Sequence, residues 1–227
     1  MKKIIFLFFT LLLIVTGCKD SKIQQGEIEY EITYPYSDLS GIMDVMLPKK
    51  MTVKFKGDKM IASIEKGKIF RTDIVSSASS KKISTRLDFG SEKIEANLSE
   101  EDLKTLISNQ PTYNVKATGK VDTIAGLEAT YFTTTSSNEK IGEFKCAFSN
   151  NISIEDTEWF TSYMGAKGVP LIYIIERYGI VMHLRATKFK SREVEDKEFN
   201  AEEGFKTISY TKYENKVNEL FQLIIEE

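Results

Sequence analysis

The 227-residue sequence predicts a mainly β (α+β) fold, an antiparallel sheet with one face that short helices must cover. Three observations carry this. The stretch GEIEYEITYP (26–35) alternates without a fault, setting Ile28, Tyr30, Ile32 and Tyr34 against Glu27, Glu29, Glu31 and Thr33. That two-residue period is the mark of a half-buried strand. Further alternating runs recur behind turn-forming dipeptides along the whole chain, at hairpin spacing. Only three short stretches show helical spacing, enough to cover a sheet but not to form an α core.

Taken in order, the first strand ends at a loop with Pro35, Gly41 and Pro48. Met51, Val53 and Phe55 then alternate with Thr52, Lys54 and Lys56 as far as the turn at Gly57-Asp58. A strand near Lys59–Glu65, a turn at Lys66-Gly67 and a strand from Ile69 to Val75 complete a meander. SSASS (76–80) reads as a loop, and KKISTRLDF and EKIEANL as two strands around Gly90-Ser91. Ser99 and Asp102 form a capping box, with Leu98 and Leu103 at the positions of a hydrophobic staple. The short helix they start turns Leu103, Leu106 and Ile107 toward the sheet, and Pro111 stops it.

From Tyr113 to Asn150 three long strands follow, broken at Ala125-Gly126 and at Ser136–Asn138. The last of them sets Phe144, Cys146 and Phe148 on one face. In EDTEWFTSYMGAKGVPLIYIIE, Asp156 caps a short helix ending near Gly165, with Trp159, Phe160, Tyr163 and Met164 at helical spacing. Val169–Glu176 is apolar on both faces and belongs inside the sheet. A strand follows from Gly179 to Phe189, with His183 sharing a face with Val181, Arg185, Thr187 and Phe189. A final amphipathic helix near Lys212–Ile225 aligns Tyr213, Val217, Leu220, Phe221 and Ile224.

The amino end is a targeting segment. Lys2 and Lys3 precede an apolar run, Ile4 to Val15, too short to span a bilayer as a mature helix and suited to a signal peptide. Val15-Thr16-Gly17-Cys18 resembles the bacterial lipobox, which implies cleavage after residue 17 and lipidation of Cys18 by acyl chains such as palmitate. Two or more chains, at about 0.8 kcal/mol per buried methylene, give stable membrane attachment. Residues 18–25 then form a lipidated tether and 26–227 a single β-rich domain. Lys19 rather than an acid follows the cysteine, which in Gram-negative lipoproteins favours the outer membrane over inner-membrane retention. Whether the domain faces the periplasm or the cell surface stays open.

Loss of residues 1–17 removes two of the 31 Lys and Arg, leaving 29 against 33 Asp and Glu, a net charge of −4. With the lysines scattered, no nucleic-acid footprint exists. Once Cys18 is acylated Cys146 stands alone, so stability comes from the core rather than from disulfides, and Cys146 reads as a small buried hydrophobe. One histidine and one free cysteine make no zinc set, and no nucleophile elbow or phosphate loop is present. No enzyme, metal or cofactor is expected. Glu27, Glu29 and Glu31 read as a solvated strand face, and Glu155, Asp156 and Glu158 as acids at a helix start. A carboxylate pair of the glycosidase kind stays open, because sequence order hides constellations in space.

GEIEYEITYP, GKVDTIAGLEATYF (119–132) and GAKGVPLIYIIERYG (165–179) together resemble the DUF4412-type and GLPGLI-type exported β-rich proteins of Bacteroidetes. These are similar in organisation to the LolA/LolB lipoprotein-carrier fold. The resemblance implies a strongly curved antiparallel sheet or half barrel, its concave apolar face covered by short helices and offering room for an acyl chain or a peptide. Glu128 and Ala129 stand where those proteins carry a cysteine, so no pairing role attaches to that segment. Two functions fit. In the first, a carrier or sensor of a hydrophobic ligand uses Trp159, Phe160, Tyr163 and Met164 as a lid hinged at Gly165 and Gly168, with Phe144 and Phe148 lining the concavity. In the second, a structural lipoprotein with a filled core presents an edge or patch to another envelope protein.

Overall fold

A computed structural model describes residues 22–36, 45–154, 163–164 and 166–225, the last three of these and Met164 by backbone alone. The segment 1–17, Cys18, Trp159, Phe160 and Gly165 lie outside the described residues, as does the predicted helix start at Asp156. Thirteen strands form one sheet: β1 (Gln25–Thr33), β2 (Lys50–Lys56), β3 (Lys59–Lys66), β4 (Phe70–Ser77), β5 (Lys82–Phe89), β6 (Glu92–Asn97), β7 (Tyr113–Ile124), β8 (Leu127–Ser136), β9 (Glu143–Ser149), β10 (Tyr163–Met164), β11 (Val169–Arg177), β12 (Ile180–Lys190) and β13 (Lys206–Thr207). The helices whose bounds lie among the described residues are α1 (Glu100–Ser108) and α2 (Tyr210–Ile225), with a 3-10 turn at Asp196–Phe199.

The strand order is β10-β7-β8-β9-β11-β12-β1-β2-β3-β4-β5-β6-β13. All neighbours are antiparallel except the two-residue end strands, which pair in parallel with β7 and β6. The sheet is curved and does not close on itself. β1, the strand with the cleanest alternation, occupies the middle and joins a β2–β6 meander to the other half. Its inner side chains Ile28, Tyr30 and Ile32 are at most 2% exposed and pack with Phe55, Leu184 and Ala186. Each such residue contributes about 1.5–3 kcal/mol by burial.

The outer face of the same strand is a charge ladder, as its glutamates predict. Arg192 donates to Glu27 at 2.9 Å and, through both terminal nitrogens, to Glu198 at 2.9 and 2.7 Å, while Lys54 adds a 2.9 Å pair to Glu198. These bonds strap the segment after β12 across the convex side, where Val194 and Phe199 cover Ile61.

One face assignment changes. A β-bulge at Glu29/Tyr30 sets Tyr30 opposite Ala186 but Ile28 opposite Phe189, so Phe189 moves from the His183 face to the core side. A bulge inserts one residue and inverts the alternation beyond it. Gly26 admits the ring there, since a Cβ at that position would lie 3.0 Å from it.

α1 begins at the capping box predicted for it, with the Asp102 amide donating to Ser99 Oγ at 3.2 Å and the Ser99 amide to Asp102 Oδ2 at 2.9 Å. Leu103 is buried, but Ile107 is 44% exposed and does not face the sheet. A nine-residue helix presents only a narrow stripe inward, which holds Leu103 and leaves Ile107 on the outer side. α2 packs Tyr210, Tyr213 and Val217 onto Leu87, Ile94 and Ala96 of β5 and β6.

Candidate ligand-binding cavity

The ladder between β9 and β11 runs only from Val169 to Ile172. Past that point Tyr163 takes the place of a strand partner: its hydroxyl accepts from the Ile174 N–H at 2.7 Å and donates to the Ile174 carbonyl at 2.8 Å. Tyr163 lies in β10, paired with Tyr113, and not in the helix that spacing predicts. The extended segment brings the hydroxyl to both backbone groups, and the gain from satisfying them outweighs a weak helical preference. Its ring stacks on Tyr113 at 4.6 Å and meets Phe148 edge-on at 5.6 Å.

Beneath this aromatic group the concave face opens into a cavity of about 940 Å³. Ligand pockets commonly measure roughly 300–1,000 Å³. Its floor comes from Met51 and Val53 of β2, Met60, Ala62 and Ile64 of β3, and Tyr173, Ile175 and Met182 of β11 and β12. Ala62, Ile64, Tyr173 and Ile175 sit on inner strands yet remain only half-buried, because no described side chain fills the space in front of them. Three flexible methionine thioethers in one apolar floor adapt to varied shapes.

The two helices form the rim. From α1, Glu101, Thr105 and Asn109 recur every four residues toward the cavity, with Leu106 beside them. α2 crosses from the β5–β6 edge to the β11–β12 turn, where it is pinned. Arg177 donates to Glu214 at 2.7 Å and to the Tyr210 hydroxyl at 3.3 Å, and the Tyr178 hydroxyl donates to Glu214 at 2.9 Å. Tyr178 also stacks on Phe221 with ring centroids 5.1 Å apart. The two-residue turn places Tyr178 and Gly179 at positive φ, the type I′ geometry of tight hairpins, and this aims the Tyr178 ring under the helix.

Of the residues predicted for ligand binding, Phe148 and Tyr163 line the cavity. Phe144 packs edge-on against Tyr113 at 5.6 Å, behind the cavity wall rather than on it. Met164 pairs through its backbone with Asn114. Gly168 borders the cavity at φ +101°, where a Cβ would meet the Ser149 carbonyl and lie 2.8 Å from Asn150 Oδ1. The floor methionines and the Arg177–Glu214 pair escaped sequence reasoning. Glu214 left a faint signal as an acid beside the apolar stripe of Tyr213 and Val217.

Burial pushes the Cys146 thiol up to about 11, beyond the range where a thiolate forms at neutral pH. His183, on the convex face, is held below the ordinary imidazole value by burial and then by the charge of Arg185. Among the described residues no group of three His, Cys, Asp or Glu is placed to hold a metal ion. No helix among them is long and apolar enough to cross a membrane.

These features define a curved-sheet half barrel with a covered apolar concavity. No family model matches the chain and no curated protein matches its sequence. Among solved structures it is similar to PNGF-II in a P21 crystal form, with a TM-score of 0.51 and 15% identity, over 86% of this chain and 33% of that one. The chain thus spans about a third of the PNGF-II chain, and the likeness is one of fold. MucB aligns at a TM-score of 0.40 and 9% identity over 81% of this chain and 60% of its own. The LolA superfamily protein NE2245 from Nitrosomonas europaea aligns at 0.21 and 12% over 79% and 91%.

Proposed function

We propose that the protein is an exported lipoprotein, anchored through Cys18 to the outer membrane, that holds a hydrophobic ligand such as a lipid acyl chain in the concavity of its sheet. The observation that carries the reading is the unfilled apolar floor. Half-buried Ala62, Ile64, Tyr173 and Ile175 on interior strands leave apolar surface that a packed core would have covered. An acyl chain laid against it gains about 0.8 kcal/mol for each methylene buried, enough to offset the cost of association with a chain of ten or more carbons. The reading gives the protein a binding role and no catalytic one. The envelope location rests on the signal-like amino end and the lipobox resemblance.

The test is mass spectrometry of organic extracts from protein comprising residues 19–227, which keeps every described element and lacks the lipidation site. Near-stoichiometric recovery of one lipid class is expected. An empty extract, together with no uptake of an added apolar fluorescent probe, would sink the reading.

A further inference from the structure

Exposed apolar side chains gather at one end of the sheet. Among the described residues seven large apolar side chains are exposed, and five of them, Tyr36, Val45, Met46, Ile69 and Phe89, stand at the end marked by the β3–β4 turn. Bonds between the turns make them neighbours. Lys66 Nζ donates to the Leu47 carbonyl at 3.4 Å, the Gly90 amide to the Ile69 carbonyl at 3.3 Å, and the Tyr34 hydroxyl to the Pro48 carbonyl. Val45 and Ile69 are 67% and 65% exposed, so these tips project into solvent. Single exposed apolar residues are ordinary, whereas a cluster of them marks a surface that meets something.

Lysines ring the same turns. Lys49 and Lys50 follow Met46 closely, and Lys66 and Lys68 flank Gly67. The described acids nearest these turns each face a cation: Glu31 stands opposite Lys50, Glu65 opposite Arg71, and Asp88 and Glu92 pair with Lys93 and Lys216 at 3.2 and 2.6 Å. That leaves the charge of Lys49, Lys66 and Lys68 in excess around an apolar centre. Protein interfaces are depleted in lysine, and a second copy of the chain would bring like charges together. A bilayer fits both features, because the apolar tips enter the acyl boundary while the ammonium groups reach anionic phosphates.

We propose that this end of the sheet docks onto an anionic lipid surface. Tyr34, Pro48, Tyr178 and Phe221 line the cavity at the same end, so docking sets that part of the cavity wall against the bilayer. This last consequence rests on the hydrophobic-ligand reading above; the docking itself does not. The amino end leaves from the far end of the strands, where the Gln24 carbonyl accepts from the Gly57 amide at 2.8 Å. The five steps from Cys18 to Ile23 reach at most about 17 Å, while the eight residues of β3 span about 26 Å. A chain anchored at Cys18 therefore touches the same bilayer with this end only by lying along it.

The test is flotation of protein comprising residues 19–227 with vesicles of phosphatidylcholine alone or of an equal mixture with phosphatidylglycerol. Binding to the mixed vesicles is expected, weakened by added salt. The double variant Ile69→Ser/Phe89→Ser should lower partitioning by about tenfold or more, and Lys66→Gln/Lys68→Gln should lower it on the mixed vesicles. Val121→Ser, which removes an exposed apolar side chain elsewhere, should leave it unchanged. Absence of vesicle binding, or binding that Ile69→Ser/Phe89→Ser does not weaken, overturns the proposal and turns the search for this surface toward a protein. Uptake of N-phenyl-1-naphthylamine, measured without vesicles, reports on the cavity separately: a protein that takes up the probe but ignores vesicles refutes the docking and keeps the hydrophobic-ligand reading. One that floats with the mixed vesicles but takes up no probe keeps the docking and removes that reading.

Discussion

Replacing Glu214 by alanine tests whether α2 is pinned across the concavity by the cluster at the β11–β12 turn. Glu214 accepts from Arg177 at 2.7 Å and from the Tyr178 hydroxyl at 2.9 Å, so Glu214→Ala strands a guanidinium and a phenol together. Breaking a fully buried ion pair costs about 3–5 kcal/mol, and losing an exposed one about 0–1 kcal/mol. The side chains here are 23% and 30% exposed, which places the expected loss near 2 kcal/mol. For a chain of this length that corresponds to roughly 4–8 °C in the melting midpoint. Chemical denaturation of the wild type, Glu214→Ala, Arg177→Met and the double variant completes a cycle, with an expected coupling of about 1–2 kcal/mol. If Glu214→Ala shifts stability by less than about 0.5 kcal/mol and the coupling is absent, the cluster behaves like a surface pair and the pinning of α2 is refuted.

Other outcomes follow from the same geometry. Tyr163→Phe should cost about 1–3 kcal/mol, because it removes the partner of the Ile174 N–H and carbonyl, and an unchanged denaturation midpoint would contradict the bridging role. Gly168→Ala should destabilise by a few kcal/mol, since the left-handed backbone and the Ser149 carbonyl both oppose a side chain; thermal melting equal to wild type would be inconsistent with that approach. Stability should also fall in two stages with acid. The imidazole of His183 is depressed below 6.5, so the unfolded chain binds its proton more readily; that contribution is full above pH 6.5 and is lost as pH drops below it. The bidentate bond from Arg192, outweighing burial, holds Glu198 well below 4.5, so a second loss starts below pH 4.5. Denaturation midpoints across pH check this: His183→Gln should flatten the upper stage alone, and an unaltered slope there would assign it to another group.

Much of the sheet was legible because its strands alternate. Ile28, Tyr30 and Ile32 against Glu27, Glu29 and Glu31 reveal a period, and the Ala125-Gly126 break is a property of the backbone at that point. The capping box of α1 is equally local, a matter of Ser99 and Asp102 three residues apart. The site was less legible. Tyr163 carries a helical spacing with its neighbours and is drawn into β10 by two unpaired backbone groups of Ile174, eleven residues away. Phe189 changed face through a bulge that no alternation reveals. Met60 and Tyr173 look like ordinary core residues, and only the curvature of the sheet leaves open space before them.

Periodicity, turn chemistry and caps are written in neighbouring residues, so the sequence by itself determined that the chain makes antiparallel strands, where the hairpins turn and how α1 starts. Which strand sits in the middle, where β9 parts from β11, and how Arg177 and Glu214 meet across 37 positions were decided by the tertiary structure. Those contacts depend on how the whole sheet coils, and a cavity is the space that such coiling leaves between residues far apart in the chain.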